Sequence, residues 1–380
     1  MTQSLHDRNR EALARELRRF LPDEAVLTEK EDLRPFECDG LSAYRTLPLI
    51  AVLPETVEQV QAILALCQAN QVPVVARGAG TGLSGGALPH REGVLLSMAR
   101  FNRILAIDPA NRTATVQPGV TNLAVSEAAA VHGLFYAPDP SSQIACTLGG
   151  NVAENSGGVH CLKYGLTVHN VLGLEMLTME GERLCLGGQA LDAPGLDLLA
   201  VMHGSEGLLG IITEVTLRLL PKPPAVQVLL AAFDTLPAAG EAVARIIGAG
   251  IVPAGLELMD NPSLRAAEDY VHAGYPSDAA AILLCELDGC EAETEAQTNR
   301  VHSLLREAGA CEVRVARGDE ERARFWAGRK AAFPAVGRLA PDYYCMDGTI
   351  PRKRLAEVLE RIAALSEEYG LPVANVFHAG

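Results

Sequence analysis

Residues 73–86 read Pro-Val-Val-Ala-Arg-Gly-Ala-Gly-Thr-Gly-Leu-Ser-Gly-Gly, with five glycines among the nine residues from Gly78 to Gly86. Glycine accepts positive φ and close backbone approach, and successive N–H groups in such a loop can converge on an anion. The chemistry implied is the cradling of a phosphate or pyrophosphate. Gly80, Gly82 and Gly85 spell GxGxxG, which in a nicotinamide site opens a helix and is followed about 20 residues on by an acidic side chain. Here Gly86 leads instead to a strand-like run, Val94-Leu95-Leu96-Ser97-Met98, and the first aspartate is Asp108. No Gly-Lys-Ser/Thr follows, so a Walker loop fails as well. A purely structural glycine turn is the simpler alternative, since an isolated motif match is weak.

A second unusual stretch covers residues 136–158, YAPDPSSQIACTLGGNVAENSGG. It has no helical or strand periodicity and is rich in Gly, Ser, Asn and Thr. Such a segment suits the wrapping of a polar ligand. The alternative is an ordinary surface loop, but long structureless loops in compact domains are uncommon and usually functional.

The bulk properties narrow the classes. The 380 residues are enough for two or three domains. A hydrophobic share of 48% with mixed charge describes a globular chain. The net charge of −15 argues against non-specific binding to nucleic acid or anionic lipid. An anionic ligand would then rest on local N–H groups and a few placed cations. The opening residues are charged throughout, unlike a signal peptide. No apolar run reaches the roughly 18 residues of a membrane span. The nine cysteines show no Cys-x-x-Cys, which fits a reducing compartment and argues against an iron–sulfur or zinc-ribbon site within the chain.

The elements that must position these residues follow from periodicity. A helix is expected over 10–21, a strand over 49–53, and a helix over 56–69 opened by the capping box Thr56-x-x-Gln59. Strands are expected at 93–98, 103–107, 113–117, 170–179, 182–186 and 211–220, with helices at 122–131 and 197–202. Leu220-Pro221-Lys222-Pro223-Pro224 marks a boundary. It divides the chain into domains 1–221 and 222–380. Beyond it, strands at 226–232, 253–258, 280–287, 311–316 and 343–349 alternate with helices at 238–248, 262–272, 291–308, through Trp326 and Arg329, and at 352–369. This predicts an α+β layer, an antiparallel ferredoxin-like sheet covered by helices. The apolar strand 373–377 runs into His378 and stops, so a C-terminally truncated protein is expected.

Taken together, these motifs resemble one family: FAD flavoproteins of the vanillyl-alcohol-oxidase, or PCMH, fold, in the D-2-hydroxy-acid dehydrogenase branch, and within it the FAD-linked subunits of bacterial glycolate oxidases. The segments that carry the resemblance are 36–45, 77–86, 137–158, 160–170, 204–215, 253–261, 324–338 and 342–352. They span nearly the whole chain.

The resemblance implies a PCMH-type FAD-binding domain followed by a substrate-binding domain. It assigns Arg77, Gly78, Ala79, Gly80, Thr81, Gly82, Ser84, Gly85 and Gly86 to the FAD pyrophosphate. It assigns Pro138, Asp139, Thr147, Gly150, Asn151, Ala153, Asn155, Gly158 and Val159 to the flavin and ribityl chain, and Gly210 and Ile211 to the adenine or ribityl side. Thr81 stands where some relatives carry a flavin-linked histidine, so non-covalent FAD is implied. Arg329 matches an arginine that grips the substrate carboxylate. Its plain alternative is a surface salt bridge on a helix that also holds Glu320, Glu321 and Arg322.

His378 matches the first histidine of a metal motif for zinc or a similar divalent ion, the remaining ligands and a basic histidine lying past Gly380. The plain alternative is a polar side chain at a sheet rim. The activity implied is oxidation of a small 2-hydroxy acid by hydride transfer to flavin, glycolate to glyoxylate or D-lactate to pyruvate. Electrons would pass to an iron–sulfur partner subunit or a quinone, in a hetero-oligomer that includes a second FAD-domain subunit. The location implied is the cytoplasm, with contact to the membrane's inner face through partners. Competing readings are a stand-alone D-lactate or D-2-hydroxy-acid dehydrogenase, and a catalytically incomplete flavin-binding fragment.

Overall fold

A computed structural model describes residues 5–190, 195–341 and 343–379. They form two compact units. The first takes the chain up to Gly157 together with Leu166–Pro221, and the second takes Gly158–Gly165 with the chain from Lys222 onward.

The first unit holds two main sheets. In the smaller, Ile50–Val52 and Val74–Arg77 flank Val94–Ser97 in parallel, and Val26–Leu27 closes the edge antiparallel to Ile50–Val52. Parallel strands need a crossover connection, and helix Val57–Ala69 carries the chain from Ile50–Val52 to Val74–Arg77, on either side of Val94–Ser97. The capping box forms as its sequence implies: Thr56 Oγ1 accepts from Gln59 N–H, and Gln59 Oε1 accepts from Thr56 N–H. Val60, Ile63, Leu64 and Cys67 lie on one stripe of this helix and pack on Ile50, Val52, Val94 and Leu96. The glycine loop leaves the end of Val74–Arg77.

The larger sheet is antiparallel throughout, in the order Ile104–Asp108, Thr113–Val116, Ile211–Arg218, Val171–Leu177, Arg183–Gly187. Helices Asn122–Ala129 and Leu148–Glu154 add Val125, Ala129, Leu148 and Val152 to its core. The stretch 136–158 is therefore not one structureless loop. Leu148 and Val152 are four residues apart and fully buried, and that packing outweighs the cost of two glycines inside the helix.

The second unit is a five-stranded antiparallel sheet, in the order Glu312–Val315, Ala225–Phe233, Ala281–Gly289, Gly255–Asp260, Val376–His378. Alternate side chains of a strand point to opposite faces. Leu256, Leu258, Leu283, Cys285 and Leu287 join the core with helices Leu236–Gly248, Glu291–Glu307 and Leu355–Tyr369. Met259, Ile282 and Leu284 join a second core with Leu264, Ala267 and Phe325. The strand expected at 343–349 does not form: those residues lack regular structure. Tyr344 and Met346 are exposed there, so the run has no buried face to pair on. Among the described residues no helix is long and apolar enough to cross a membrane.

Candidate functional site

The residues singled out by sequence fall into two constellations, one in each unit. In the first unit Arg77 ends its strand with a buried guanidinium that faces inward. Nη1 donates to the carbonyls of Cys38 (2.8 Å) and Ala87 (3.2 Å), and the group lies 5.7 Å from the Phe36 ring centroid. Burial pushes the guanidinium below its usual value, opposed by Cys38 and Asp39. Arg77 thus pins the loop from beneath. Gly80 crosses directly over it with φ +71°, where a Cβ would lie 2.2 Å from Arg77 Nη2. Gly40 N–H donates to Gly82 C=O at 2.9 Å and ties in a neighbouring segment.

Among the described residues, outside helices and strands, no N–H from Gly78 to Gly86 donates to a backbone carbonyl. Unpaired N–H groups in succession form an anion-binding concavity. Beside them stands Thr147, whose Oγ1 is buried and has no hydrogen-bond partner among the described residues. It lies 2.3 Å from the place a Cβ on Gly78 would take. A buried hydroxyl without a partner is costly. These groups fit the pyrophosphate and ribityl oxygens of FAD.

The other expected FAD residues have definite places. Asn151 is buried; its Oδ1 accepts from Asn122 Nδ2, which also donates to the carbonyl of Pro138 (3.0 Å each). Asn155 closes helix Leu148–Glu154 in the left-handed region, φ 50°, and its Oδ1 accepts from Val168 N–H. Asp139 is buried, and the carbonyl of Ala153 accepts from Glu206 N–H at 2.8 Å. Gly150 follows Thr147 in that helix's first turn. Gly210 packs on Met176 and Leu177, and Ile211 begins the next strand. Gly158 and Val159 belong to the second unit.

Sequence reasoning did not single out Glu154. Its Oε2 accepts from Ser84 Oγ at 3.2 Å, and its Oε1 lies against Gly82 and Gly86. Burial, then the charge of Glu206, pushes its carboxyl above the usual range.

In the second unit, three acidic side chains share the sheet face that carries Met259 and Leu284. Glu257 is 1% exposed and Arg329 6%. Arg329 Nε and Nη2 donate to Glu257 Oε2 at 2.7 and 2.6 Å, and Glu257 Oε1 meets His378 Nδ1 at 2.8 Å. Glu286 meets His160 Nε2 at 2.8 Å and accepts from Trp326 Nε1 at 2.5 Å. Asp288 accepts from Lys163 Nζ and from Tyr164 Oη. Burial, then that carboxylate, pushes the Tyr164 phenol upward. The structure thus brings Arg329 and His378 onto one carboxylate. Glu257, Glu286, His160 and Trp326 were not singled out. The available signal was a lone charge inside an apolar strand, as in Leu-Glu-Leu-Met at 256–259 and Cys-Glu-Leu-Asp at 285–288, where buried acids need partners.

The metal expected at His378 is a different matter. Among the described residues, no group of three or more His, Cys, Asp or Glu side chains could hold a metal ion. Glu257 already has both oxygens engaged. The described residues around His378 therefore do not make the expected site.

Residues 48–187 match the FAD binding domain family, and residues 222–380 match the C-terminal domain of FAD linked oxidases. The chain belongs to the FAD-linked oxidases, and is an FAD-dependent oxidoreductase with a PCMH-type FAD-binding domain and an α+β second domain. It is 64% identical over 377 residues to the glycolate oxidase subunit GlcD of Escherichia coli strain K12, covering 99% of this chain and 76% of that protein. It is 33% identical over 364 residues to a D-lactate dehydrogenase of Anaerostipes hadrus, covering 93% and 76%. The solved structure of an alkyldihydroxyacetonephosphate synthase matches its fold with a TM-score of 0.78 at 21% identity, covering 97% of this chain and 77% of that one.

Proposed function

We propose that this chain is the FAD-bearing subunit of an oxidase of short 2-hydroxy acids, that its substrate is glycolate, and that its product is glyoxylate. The observation that carries the reading is the state of Arg329. Its Nε–Nη2 edge is taken by Glu257, and no other described group bonds to Nη1. A guanidinium has two such edges. The end-on edge, Nη1 with the outer hydrogen of Nη2, is left for the carboxylate of a substrate, and a paired N–H fork matches a carboxylate in geometry. The kinship with GlcD supports glycolate as that substrate.

The residues then divide the work. The N–H groups of residues 78–86 and Thr147 Oγ1 hold FAD without a covalent bond. When bound, FAD supplies the two-electron oxidation. Arg329 holds the carboxylate and fixes the orientation of the carbon that is oxidised. The contact between His378 Nδ1 and Glu257 Oε1, 2.8 Å long, fixes the orientation of the imidazole beside Arg329.

Electrons leave to a partner subunit that carries iron–sulfur centres, in an assembly with a second FAD-domain subunit. The name of the E. coli relative, a subunit, supports an assembly. The absence of any Cys-x-x-Cys here supports placing the clusters elsewhere. The assembly would work in the cytoplasm, at the membrane's inner face.

The test is the visible spectrum of the purified protein before and after anaerobic glycolate. Flavin bands that bleach support the reading. A flavoprotein that keeps its bands with glycolate and bleaches with D-lactate supports the second reading, a D-lactate dehydrogenase, which the A. hadrus relative favours. Protein that stays colourless with added FAD overturns both.

A further inference from the structure

We infer that Glu257 is a positioning residue of the 2-hydroxy-acid site: one buried carboxylate sets which edge of Arg329 and which nitrogen of His378 are presented to the substrate. The inference rests on the role proposed for Arg329.

Three elements meet at this carboxylate. Glu257 lies in strand Gly255–Asp260, directly opposite His378 in the antiparallel register of Val376–His378. Arg329 comes from the last turn of helix Asp319–Lys330. Both carboxylate oxygens are used: Oε2 takes Nε and Nη2 of Arg329, and Oε1 takes Nδ1 of His378. A simple buried ion pair needs only the arginine. The second bond, to an imidazole whose side chain is 48% exposed, adds no shield from water. It fixes a tautomer and a ring orientation, as carboxylates do for functional histidines. The flanking residues Leu256 and Leu258 are anchored in the apolar core on the other face, so the carboxylate cannot drift with its partners. Such a fixed support holds reacting groups within the narrow tolerance that oriented chemistry needs.

The experiment uses the full-length flavoprotein and reads each variant per bound flavin. Stopped-flow reduction by glycolate gives a limiting rate and an apparent Kd. Oxalate, a carboxylate with no oxidisable hydroxyl, gives a binding constant from the perturbed flavin spectrum. For Glu257→Gln, the limiting rate falls at least about tenfold and the oxalate Kd rises by a smaller factor, because Arg329 keeps its charge but is no longer aimed. A limiting rate within about threefold of the parent, per flavin, overturns the inference, since a merely structural role costs folded protein and not turnover of what folds. Should Glu257→Gln yield no flavoprotein, Glu257→Asp is read by the same criterion. It keeps the charge but withdraws it by a methylene. Arg329→Gln separates the two claims. If it leaves oxalate binding and glycolate Kd unchanged, the reading of Arg329 fails and this inference with it. If it weakens both while Glu257→Gln turns over normally, only the role of Glu257 is overturned.

Discussion

Thr147 Oγ1 stands where a side chain on Gly78 would begin: a Cβ there would lie 2.3 Å away. The hydroxyl is buried and has no hydrogen-bond partner among the described residues. Gly78→Ala must therefore push the threonine aside, at a cost of roughly 1–3 kcal/mol. Thr147→Ala removes the obstacle and a donor together. Its expected effect is a fold of near-normal stability with FAD affinity lowered about tenfold. The double variant recovers stability lost by Gly78→Ala but not FAD affinity. Melting temperature with and without added FAD, and FAD titration, separate the two effects.

Arg329→Gln leaves Glu257 as a buried charge without its guanidinium. Breaking a buried pair on one side costs about 3–5 kcal/mol, whereas replacing both partners is often close to neutral. Urea denaturation is thus expected to show a large loss for Arg329→Gln and recovery of most of it in the Glu257→Gln/Arg329→Gln double variant. Equal stability of single and double variants would contradict the pairing.

Glu154 makes stability depend on pH. Burial and the neighbouring Glu206 raise its carboxyl above the ordinary 4.5, with a smaller contribution from Asp39 and an opposing bond from Ser84. A raised acid binds its proton more tightly in the folded state, so its contribution is complete below 4.5 and is lost as pH rises through the raised value. Glu154→Gln is expected to match the parent below that window and to melt higher above it. Because this carboxylate lies against the glycine loop, the variant should also bind FAD more tightly at neutral pH, with less dependence on salt. Melting curves at a series of pH values and FAD titration at two salt concentrations check both.

The capping box at Thr56 offers a simple calibration. Thr56→Ala removes the acceptor for Gln59 N–H and should cost about 1 kcal/mol in chemical denaturation. A loss near zero would mean that packing of Val60, Ile63 and Leu64 alone holds this helix.

Much of the fold was legible because its signals are local. The capping box needs only Thr56 and Gln59, and the apolar stripe of helix Val57–Ala69 repeats at helical spacing. The second sheet was visible as strands alternating with helices. Two readings failed for one reason. The run 343–349 has strand-forming residues but forms no strand, and Tyr344 and Met346 are exposed. The segment 148–154 has two glycines but a buried Leu148 and Val152. In each case burial against the rest of the fold, absent for the first and present for the second, overrides local preference.

The sequence by itself determined the backbone chemistry of residues 78–86, since glycines at that density permit a row of converging N–H groups whatever surrounds them. It also determined the kinship, through motifs spread along the chain. Only the tertiary structure decided that Glu257, Arg329 and His378 meet. They are separated by 72 and 121 residues, and no periodicity links a strand interior, a helix end and a strand edge. It likewise decided that Arg77 supports the loop from below and that Thr147 waits beside Gly78. Side-chain convergence depends on sheet register and helix placement, and those are set by burial of the whole core rather than by any local run of residues.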